Sequence, residues 1–238
     1  MFVFEGIKEI ELALEAGIEI HSFFFCNDIV DNELLVKFLS KIDPEIVYEI
    51  TPAIFSRIAY RESTGGMLVV GRSKYLSLEE VKLSNIPFVL VLEAVEKPGN
   101  LGGILRTADA AGVDVILICD PLTDLYNPNI IRSSLGTIFT KQVVACTSEE
   151  AIKWLKNKEI TIFATDLNTD YFYQQVDFTQ PTALVMGTEH DGLSYRWLSA
   201  AEHSIKIPML GKIDSLNVST AAAVLIFEVL RQRNSQMV

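Results

Sequence analysis

Short apolar runs alternate with polar, helix-like stretches along the chain, and the pattern is strongest from residue 87 onward. Several runs have the length and unbroken apolar character of parallel strands that are covered on both faces. They are Phe88–Leu92, Val113–Cys119, Ile160–Ala164, Ala183–Met186 and Ile205–Ile207. The helical stretches between and after them lie at Ile104–Ala111, Ser148–Asn157, Tyr195–Ala201 and within Ser215–Arg233. This alternation predicts an α/β domain with a mostly parallel sheet.

The beginning of the chain predicts a smaller α/β unit. Its strands are expected at Ile20–Cys26, Ile46–Ile50 and Met67–Gly71, with a helix at Glu33–Lys41. Thr51-Pro52 has the pattern of a helix N-cap followed by proline at the first helical position. Residues 73–86 are polar enough for a linker with one turn of helix. We therefore expect a domain over 1–72, a linker over 73–86 and a domain over 87–238.

Composition adds that the chain folds and that bulk electrostatics does not attract it to nucleic acid. The sequence has 238 residues, 49% of them hydrophobic, which is enough for a substantial core. Its net charge of −11 opposes a long-range attraction to phosphates. An acidic protein can still recognise folded RNA by shape, with a local basic patch.

The chain shows no sequence signal for a membrane, a leader or a metal. The apolar run Leu216–Phe227 is too short to span a bilayer, and the acidic first residues are unlike a signal peptide. His190 has no ligand-like spacing to His21 or His203, so no metal site is predicted. The cysteines are odd in number and not spaced as ligands, which favours reduced thiols and a cytoplasmic protein; they are Cys26, Cys119 and Cys146.

The first candidate for chemistry is the segment from Glu96 to Ala108, which follows a predicted strand and opens a helix. It reads EKPGNLGGILRTA, and its glycines allow a ligand to approach the backbone closely. Asn100 is a candidate helix cap, and Arg106 lies six residues further on. The spacing is not that of a dinucleotide-binding fingerprint, and a plain glycine-rich turn with a surface arginine remains the alternative.

Two further segments carry polar groups after apolar runs. Gly187-Thr-Glu189-His-Asp-Gly192 follows a predicted strand, where open α/β sheets place ligands. Its acidic and imidazole groups are either an acid/base pair or stabilisers of a turn. Ile207-Pro-Met209 and Ser215-Leu-Asn217 precede a helix that begins with small residues. Ser215 and Asn217 are candidate caps of that helix, and a well-capped core helix is the alternative.

In order and spacing, these three segments resemble the three motifs of the SpoU (TrmH-like) branch of the SPOUT RNA methyltransferases. The matching residues are Asn100, Gly102 and Arg106, then Gly187, Glu189 and Gly192, then Ile207-Pro208-Met209 and Ser215-Leu216-Asn217. The resemblance covers Pro87–Arg233, with a weaker match at Ile131–Gly136. Residues 2–71 resemble, less specifically, the substrate-recognition domain of many members. Such domains usually begin before the Glu5-Gly6 match, so we expect a leading segment to be missing.

The resemblance implies a fold and a reaction. The fold is a trefoil-knotted SPOUT methyltransferase domain with a mostly parallel sheet, preceded by a small α/β substrate-binding domain, and members form homodimers. The reaction is methyl transfer from S-adenosylmethionine to a ribose 2′-hydroxyl in structured RNA, with rRNA favoured over tRNA. The implied cofactor-binding residues are Gly187, Ile207, Met209, Leu216 and Asn217. The implied catalytic residues are Arg106, Asn100, Glu189, Ser215 and Asn217.

The role of Arg106 needs a physical qualification. A guanidinium is protonated at all ordinary pH values, so we expect Arg106 to anchor a phosphate and steer the hydroxyl rather than act as a base. Asn100 would fix its geometry, and Glu189 would orient either Arg106 or the knot. The arginines that could form a basic RNA-binding surface are Arg57, Arg61, Arg72 and Arg132.

Two other classes stay open at the level of sequence. One is a non-catalytic RNA-binding protein that keeps the knot, which the presence of Asn100, Arg106, Glu189 and Asn217 disfavours. The other is a nucleotide-dependent enzyme of the Rossmann type, which the missing glycine fingerprint disfavours.

Overall fold

The chain forms two compact units in a computed structural model that describes residues 1–60, 65–188 and 192–234. The first unit contains Met1–Lys74 and Leu125–Thr140, and the second contains Tyr75–Asp124 and the chain from Lys141 onward. Each unit has its own sheet, of four strands in the first and six in the second. Over the described ranges, no helix combines the length and apolar character that a bilayer crossing requires.

The strands and helices follow the alternation seen in the sequence. The strands are β1 (Phe2–Glu5), β2 (Ile20–Phe25), β3 (Val47–Glu49), β4 (Met67–Gly71), β5 (Phe88–Glu93), β6 (Val115–Cys119), β7 (Gln142–Cys146), β8 (Thr161–Thr165), β9 (Thr182–Met186) and β10 (His203–Ile205). The helices are α1 (Ile7–Glu15), α2 (Asn32–Leu39), α3 (Pro52–Ile58), α4 (Pro98–Ala110), α5 (Pro128–Ser133), α6 (Thr137–Thr140), α7 (Ser148–Asn157), α8 (Tyr195–Ala200) and α9 (Val218–Asn234).

The sheet of the second unit is parallel throughout and has the order β10-β8-β9-β5-β6-β7. The central strands β5, β9 and β6 are buried along their whole length, as their unbroken apolar runs predict. Parallel strands all end at the same edge, so the segments after β5, β8, β9 and β10 emerge together there. The α/β class with a mostly parallel sheet and a small front unit is confirmed.

Several boundaries in the second unit differ from the sequence prediction. The structure adds the edge strand β7, where burial is uneven rather than continuous. Helix α4 begins at Pro98, six residues before the predicted start, and includes the glycines that had the appearance of a turn. Strand β10 lies two residues earlier than predicted, and α9 begins only at Val218.

The sheet of the first unit is mixed. β4 pairs antiparallel with β1 and β2, whereas β3 is parallel to β2. The predicted cap of α3 is found at Thr51, with proline at the first helical position, although its side chain makes no capping hydrogen bond. Cys26, Phe55 and Leu68 form a small buried cluster beneath this helix.

The segment Leu125–Thr140 comes from between β6 and β7 but clusters with the first unit. The Tyr126 ring stacks on the Phe2 ring with the ring centres 4.3 Å apart. The Phe139 ring also stacks on the Phe2 ring, with the ring centres 5.8 Å apart. The Tyr126 hydroxyl donates to the backbone oxygen of Lys74. The first unit is therefore built from two separate stretches of sequence.

The segment predicted as a linker, 73–86, contains one 3-10 turn at Leu78–Glu80. Its apolar side chains pack against the core of the second unit; they are Leu76, Leu78, Val81 and Leu83. Gln142 of β7 holds this segment in place, because its amide accepts from the Lys82 N–H and donates to the Lys82 carbonyl, at 2.8 and 2.7 Å.

Helix α9 crosses the second unit and is fastened at its far end by Arg233. The Arg233 guanidinium donates to the carbonyl oxygens of Ile86, Pro87, Phe178 and Gln180 at 2.8–3.1 Å. These carbonyls precede β5 and β9, so Arg233 ties the end of α9 to the amino ends of the central strands. Burial of the guanidinium lowers its pKa from the usual value.

We expect Arg233→Met to destabilise the second unit by about 2–3 kcal/mol, because four backbone carbonyls, including those of the buried residues Pro87 and Phe178, lose a donor. Arg231→Met is the matched control, since Arg231 lies on the same helix and pairs with the Glu228 carboxylate through a side chain that is 64% exposed. Its loss should cost less than about 1 kcal/mol. Urea denaturation followed by tryptophan fluorescence measures both, because Trp154 and Trp197 lie in the second unit. Equal effects of the two substitutions would contradict the prediction.

Candidate functional site

A cavity of about 390 Å³ opens at the carboxyl ends of β8, β9 and β10 in the second unit. Its size lies in the ordinary range for small-molecule sites, and its position is the one that open parallel sheets use for ligands. The apolar part of its lining comes from Leu167, Met186, Leu193, Leu198, Ile205, Ile207, Met209, Leu216, Val218, Ala221 and Leu225. Charged side chains of both signs complete it: Lys97, Asp166, Lys206 and Asp214.

The wall formed after β9 depends on a close approach between two backbone stretches. A Cβ on Gly187 would lie 2.7 Å from the amide nitrogen of Leu193 and 2.8 Å from the carbonyl carbon of Gly192. Thr188 makes a bridge to Gly192, and its hydroxyl donates to the Gly192 carbonyl at 3.0 Å. Position 187 therefore has space for glycine only, because backbone atoms cannot move aside as a flexible side chain can.

The first and third motifs meet through a pair of asparagines. The side-chain amide of Asn217 donates to Oδ1 of Asn100 at 3.1 Å. Oδ1 of Asn217 accepts from the backbone N–H and the hydroxyl of Ser219, at 2.9 and 2.6 Å. Asn217 thus caps α9 as predicted and at the same time reaches α4.

Two other predicted caps are wrong. Helix α4 begins at Pro98 with Lys97 as its N-cap, so Asn100 lies inside the first turn and its side chain is available to Asn217. Ser215 donates to the neighbouring Asp214 carboxylate at 3.1 Å instead of capping α9.

The small residues at the start of α9 allow this helix to pack closely on α4. A Cβ built on Gly103 of α4 would lie 3.6 Å from Cβ of Ser219 on α9.

All residues predicted to bind the cofactor line the cavity; they are Gly187, Ile207, Met209, Leu216 and Asn217. Ser215 lines it too, whereas Asn100 is joined to it through Asn217. Glu189 lies outside the described residues. The chemical roles of these residues stay predictions.

Arg106 lies on the exposed face of α4, one and two-thirds turns beyond Asn100. Its guanidinium makes no hydrogen bond or ion pair with the part of the chain that the structure describes. It is not part of the cavity lining. An exposed arginine is suited to binding an external anion such as a phosphate.

The arginines predicted to contact RNA belong to the first unit as far as they are described. Arg57 is exposed in the last turn of α3. Arg72 pairs with Glu19 at 2.8 Å, and both side chains are largely exposed. Arg132 acts on the buried carboxyl of Glu9, whose pKa is raised by burial and lowered in part by this nearby charge. Arg61 lies outside the described residues.

Sequence reasoning missed the charged lining of the cavity. Lys97 directly precedes α4, Asp166 follows β8, and Lys206 follows β10. Lys206 also lies 5.7 Å from the ring centre of Phe172. Asp166 and Lys206 come directly after strands β8 and β10, and Lys97 lies in the segment after β5, so a position after a strand was the available signal.

Apolar walls with charges of both signs suit a ligand that has a flat apolar part and a zwitterionic part. No cluster of three or more potential metal-binding side chains occurs within residues 1–60, 65–188 and 192–234. The side chains of the lining can bind and orient a molecule and stabilise it electrostatically.

Comparison with known proteins assigns this chain to a family. The profile of the SpoU rRNA Methylase family matches residues 87–227, and the profile of the MRM3-like substrate binding domain matches residues 1–69. The chain belongs to the SpoU rRNA methylase family, and the resemblance seen in the three motifs is confirmed.

Individual relatives align with different shares of the chain. The 23S rRNA (guanosine(2553)-2′-O)-methyltransferase RlmP of Bacillus subtilis is 30% identical over 83% of this chain and 79% of its own length. The tRNA (guanosine(18)-2′-O)-methyltransferase of Thermus thermophilus is 41% identical over 66% of this chain and 81% of its own. The crystal structure of AviRb from Streptomyces viridochromogenes with its cofactor AdoMet is 26% identical, with a TM-score of 0.89 over 98% of this chain and 91% of that one.

We expect Gly187→Ala to destabilise the second unit by about 1–3 kcal/mol, because the new methyl group meets backbone that cannot give way. Gly99→Ala is the matched control, since no atom lies within 4 Å of a Cβ at that position in the first turn of α4. Alanine there should leave stability unchanged or raise it slightly. Urea denaturation followed by tryptophan fluorescence compares the two. Wild-type stability of Gly187→Ala would show that the close approach is not a constraint.

Proposed function

We propose that this chain transfers a methyl group from S-adenosylmethionine to a ribose 2′-hydroxyl of structured RNA, and that the RNA is ribosomal. The observation that carries the proposal is the hydrogen bond between Asn217 and Asn100 beside the cavity. It joins the first and third motifs of the family at the end of the sheet where the second motif begins with Gly187. A protein that kept only the fold for RNA binding would not need this arrangement.

The cavity fits S-adenosylmethionine in shape and in chemistry. Its apolar walls suit the purine, and the backbone contact between Gly187 and Gly192–Leu193 leaves that part of the lining without long side chains, so a ligand can be held by backbone groups. The opposite charges of Lys206 and Asp214 suit the carboxylate and the ammonium group of the methionine part. We assign Gly187, Ile207, Met209, Leu216 and Asn217 to cofactor binding.

The cofactor supplies an electrophilic methyl group on a sulfonium. The ribose hydroxyl is a weak nucleophile, so the chain has to hold its oxygen in line with the bond between the sulfur and the methyl carbon. Positioning of two reactants can lower such a barrier by several kcal/mol. Arg106 holds a phosphate next to the target ribose and steers the hydroxyl by its charge. Asn100 fixes the start of α4, on which Arg106 is carried, through its bond with Asn217. Glu189 and Ser215 keep the catalytic roles assigned by family resemblance.

Ribosomal RNA is the substrate class that the extent of the alignments favours. The relative named for 23S rRNA aligns with 83% of this chain, whereas the one named for tRNA aligns with 66%. The front unit matches a substrate-binding domain, and its exposed Arg57 is our first candidate for an RNA contact. Arg61, Arg72 and Arg132 are further candidates. Such a substrate implies a cytoplasmic protein.

We further infer that the enzyme is a homodimer. The loop of the third motif exposes apolar side chains to solvent, with Leu210 99% and Ile213 66% exposed. Exposed apolar groups next to a ligand cavity favour burial against a protein surface. A second copy of the same chain is the partner that members of the family use.

We expect Arg106→Ala to nearly abolish methyl transfer while cofactor affinity and stability stay close to wild type. The side chain is exposed and packs against no core, so its loss should cost about 0.5 kcal/mol of stability or less. Asn217→Ala should instead weaken cofactor binding, because the turn loses a donor and an acceptor at a cost of about 1–3 kcal/mol. Single-turnover transfer to ribosomal RNA, paired with calorimetric binding of S-adenosylmethionine, measures both effects.

Arg106→Lys is the control for this experiment. It keeps the positive charge but loses the planar fork that binds phosphate in a bidentate manner, so intermediate transfer is expected. Near-normal transfer by Arg106→Ala would refute its catalytic role. Wild-type protein that binds S-adenosylmethionine but methylates no RNA would favour the non-catalytic RNA-binding alternative.

We expect light scattering to give twice the chain mass of 26.5 kDa at micromolar concentration. Leu210→Glu should shift the mass towards the monomer, because a charge would be buried at the interface. Val36→Glu is the control, since Val36 is 68% exposed on α2 of the front unit. A monomeric wild-type protein would contradict the dimer.

A further inference from the structure

Glu93 is a buried carboxylate whose position is not explained by core packing. It is the last residue of the central strand β5 and is only 6% exposed. Its Oε2 accepts the backbone N–H of Ser194 at 2.8 Å. Burying a carboxylate costs free energy unless a hydrogen-bond donor compensates for the lost water. The N–H of Ser194 provides this compensation for Glu93.

The register of the sheet explains which segment Glu93 holds. Leu92 of β5 pairs with Met186 of β9, so Glu93 and Gly187 are the next residues on neighbouring strands. The chain leaves the sheet at Gly187, and its backbone returns at Leu193 to lie against Gly187. Ser194 is the following residue, and there Glu93 binds the backbone. The carboxylate therefore fastens the returning stretch to the strand that leads into the first motif.

The returning stretch is also a wall of the cavity. Gly187, Thr188, Gly192 and Leu193 all line it. The close approach at Gly187 requires the Gly192–Leu193 peptide to stay in place, and Glu93 binds the residue directly after it. A second anchor follows on α8, where Nε1 of Trp197 donates to the Ser148 hydroxyl at 2.9 Å, but it lies outside the cavity lining.

We propose that Glu93 is a positioning residue for the methyl donor, because its carboxylate holds Ser194 and thereby keeps the second-motif wall at the distance the cofactor requires. This inference rests on the proposed function. Glu93 does not touch the cavity itself, so it acts through the backbone of Gly192 and Leu193. Its effect should appear in cofactor affinity, and turnover at saturating cofactor should stay close to wild type.

The hydrogen bond can be removed from either side. Ser194→Pro deletes the donor, and the φ of −62° at this position already suits proline. Ser194→Ala is its matched control, because it keeps the N–H and loses a side chain that makes no capping bond. Glu93→Ala deletes the acceptor, whereas Glu93→Gln keeps an oxygen that can accept. Trp197→Phe removes the other anchor of α8 and serves as the control for a loss of stability alone.

Calorimetry with S-adenosylmethionine, together with KM and kcat for methyl transfer, decides the matter. We expect Ser194→Pro and Glu93→Ala to raise Kd and KM for the cofactor about tenfold or more, with kcat within about threefold of wild type. Ser194→Ala and Glu93→Gln should stay within about threefold in all three quantities. Trp197→Phe should lower the Tm and leave Kd unchanged.

Wild-type Kd in Ser194→Pro and Glu93→Ala would overturn the inference and leave the proposed function standing. Glu93→Gln that fails as Glu93→Ala does would also overturn it, because the charge and not the hydrogen bond would then matter. If Glu93→Ala does not fold, Ser194→Pro tests the same bond with the carboxylate intact. No binding of S-adenosylmethionine to the wild-type protein would overturn both proposals.

Discussion

The backbone of Gly187 lies against the backbone of Gly192 and Leu193 with no space for a side chain between them. This contact depends on the parallel sheet, which brings β9 to the same edge as β5 and β8. It also determines the wall of the cavity, because a turn held open by even one methyl group would move Leu193. The cavity of the second unit is in this sense a product of backbone packing, and the Glu93 carboxylate acts on it through the backbone N–H of Ser194.

The three motifs depend on one another through few hydrogen bonds. Asn217 connects the start of α9 with α4, and Glu93 connects the end of β5 with Ser194. Arg233 holds the other end of α9 on the amino ends of the central strands. The helix is therefore fixed at both ends, which keeps Asn217 at a constant position relative to Asn100. Rigid support of this kind is what a positioning mechanism requires.

The sequence predicts the central sheet well because the strands β5, β6 and β9 are apolar without interruption. It misses β7, since a half-exposed edge strand lacks that signal. It also misses the beginning of α4, because glycine disfavours helix and Gly102 and Gly103 look like a turn. The structure shows that packing decides there, with Gly103 close to Ser219 of α9. Tertiary contacts of this kind override local propensity and are invisible to a periodicity argument.

The candidate site is predictable to a different extent. Family motifs find the residues around the cavity, including Ile207 and Leu216, whose own chemistry gives no hint of a site. The threading of a knot is likewise implied by the family and has no periodic signal. Glu93 and the charged residues of the lining had only a positional signal, as polar groups next to buried strands. Glu189 and Arg61 lie outside the described residues, so their roles rest on the sequence alone.

The acidic composition is compatible with an RNA substrate once the range of electrostatic forces is considered. At physiological salt, charges further apart than about 8 Å are largely screened, so a net charge of −11 has little effect at the site. The charges close to the site matter more than the net charge. Lys97 and Lys206 lie beside the carboxylates of the cavity lining, and Arg106 is exposed on α4. Repulsion between acidic side chains of the surface and phosphates that come within this range disfavours non-specific binding of RNA. Under the proposed function, shape and a few exposed arginines choose the RNA target, and the same negative charge that weakens general affinity adds discrimination against other RNA.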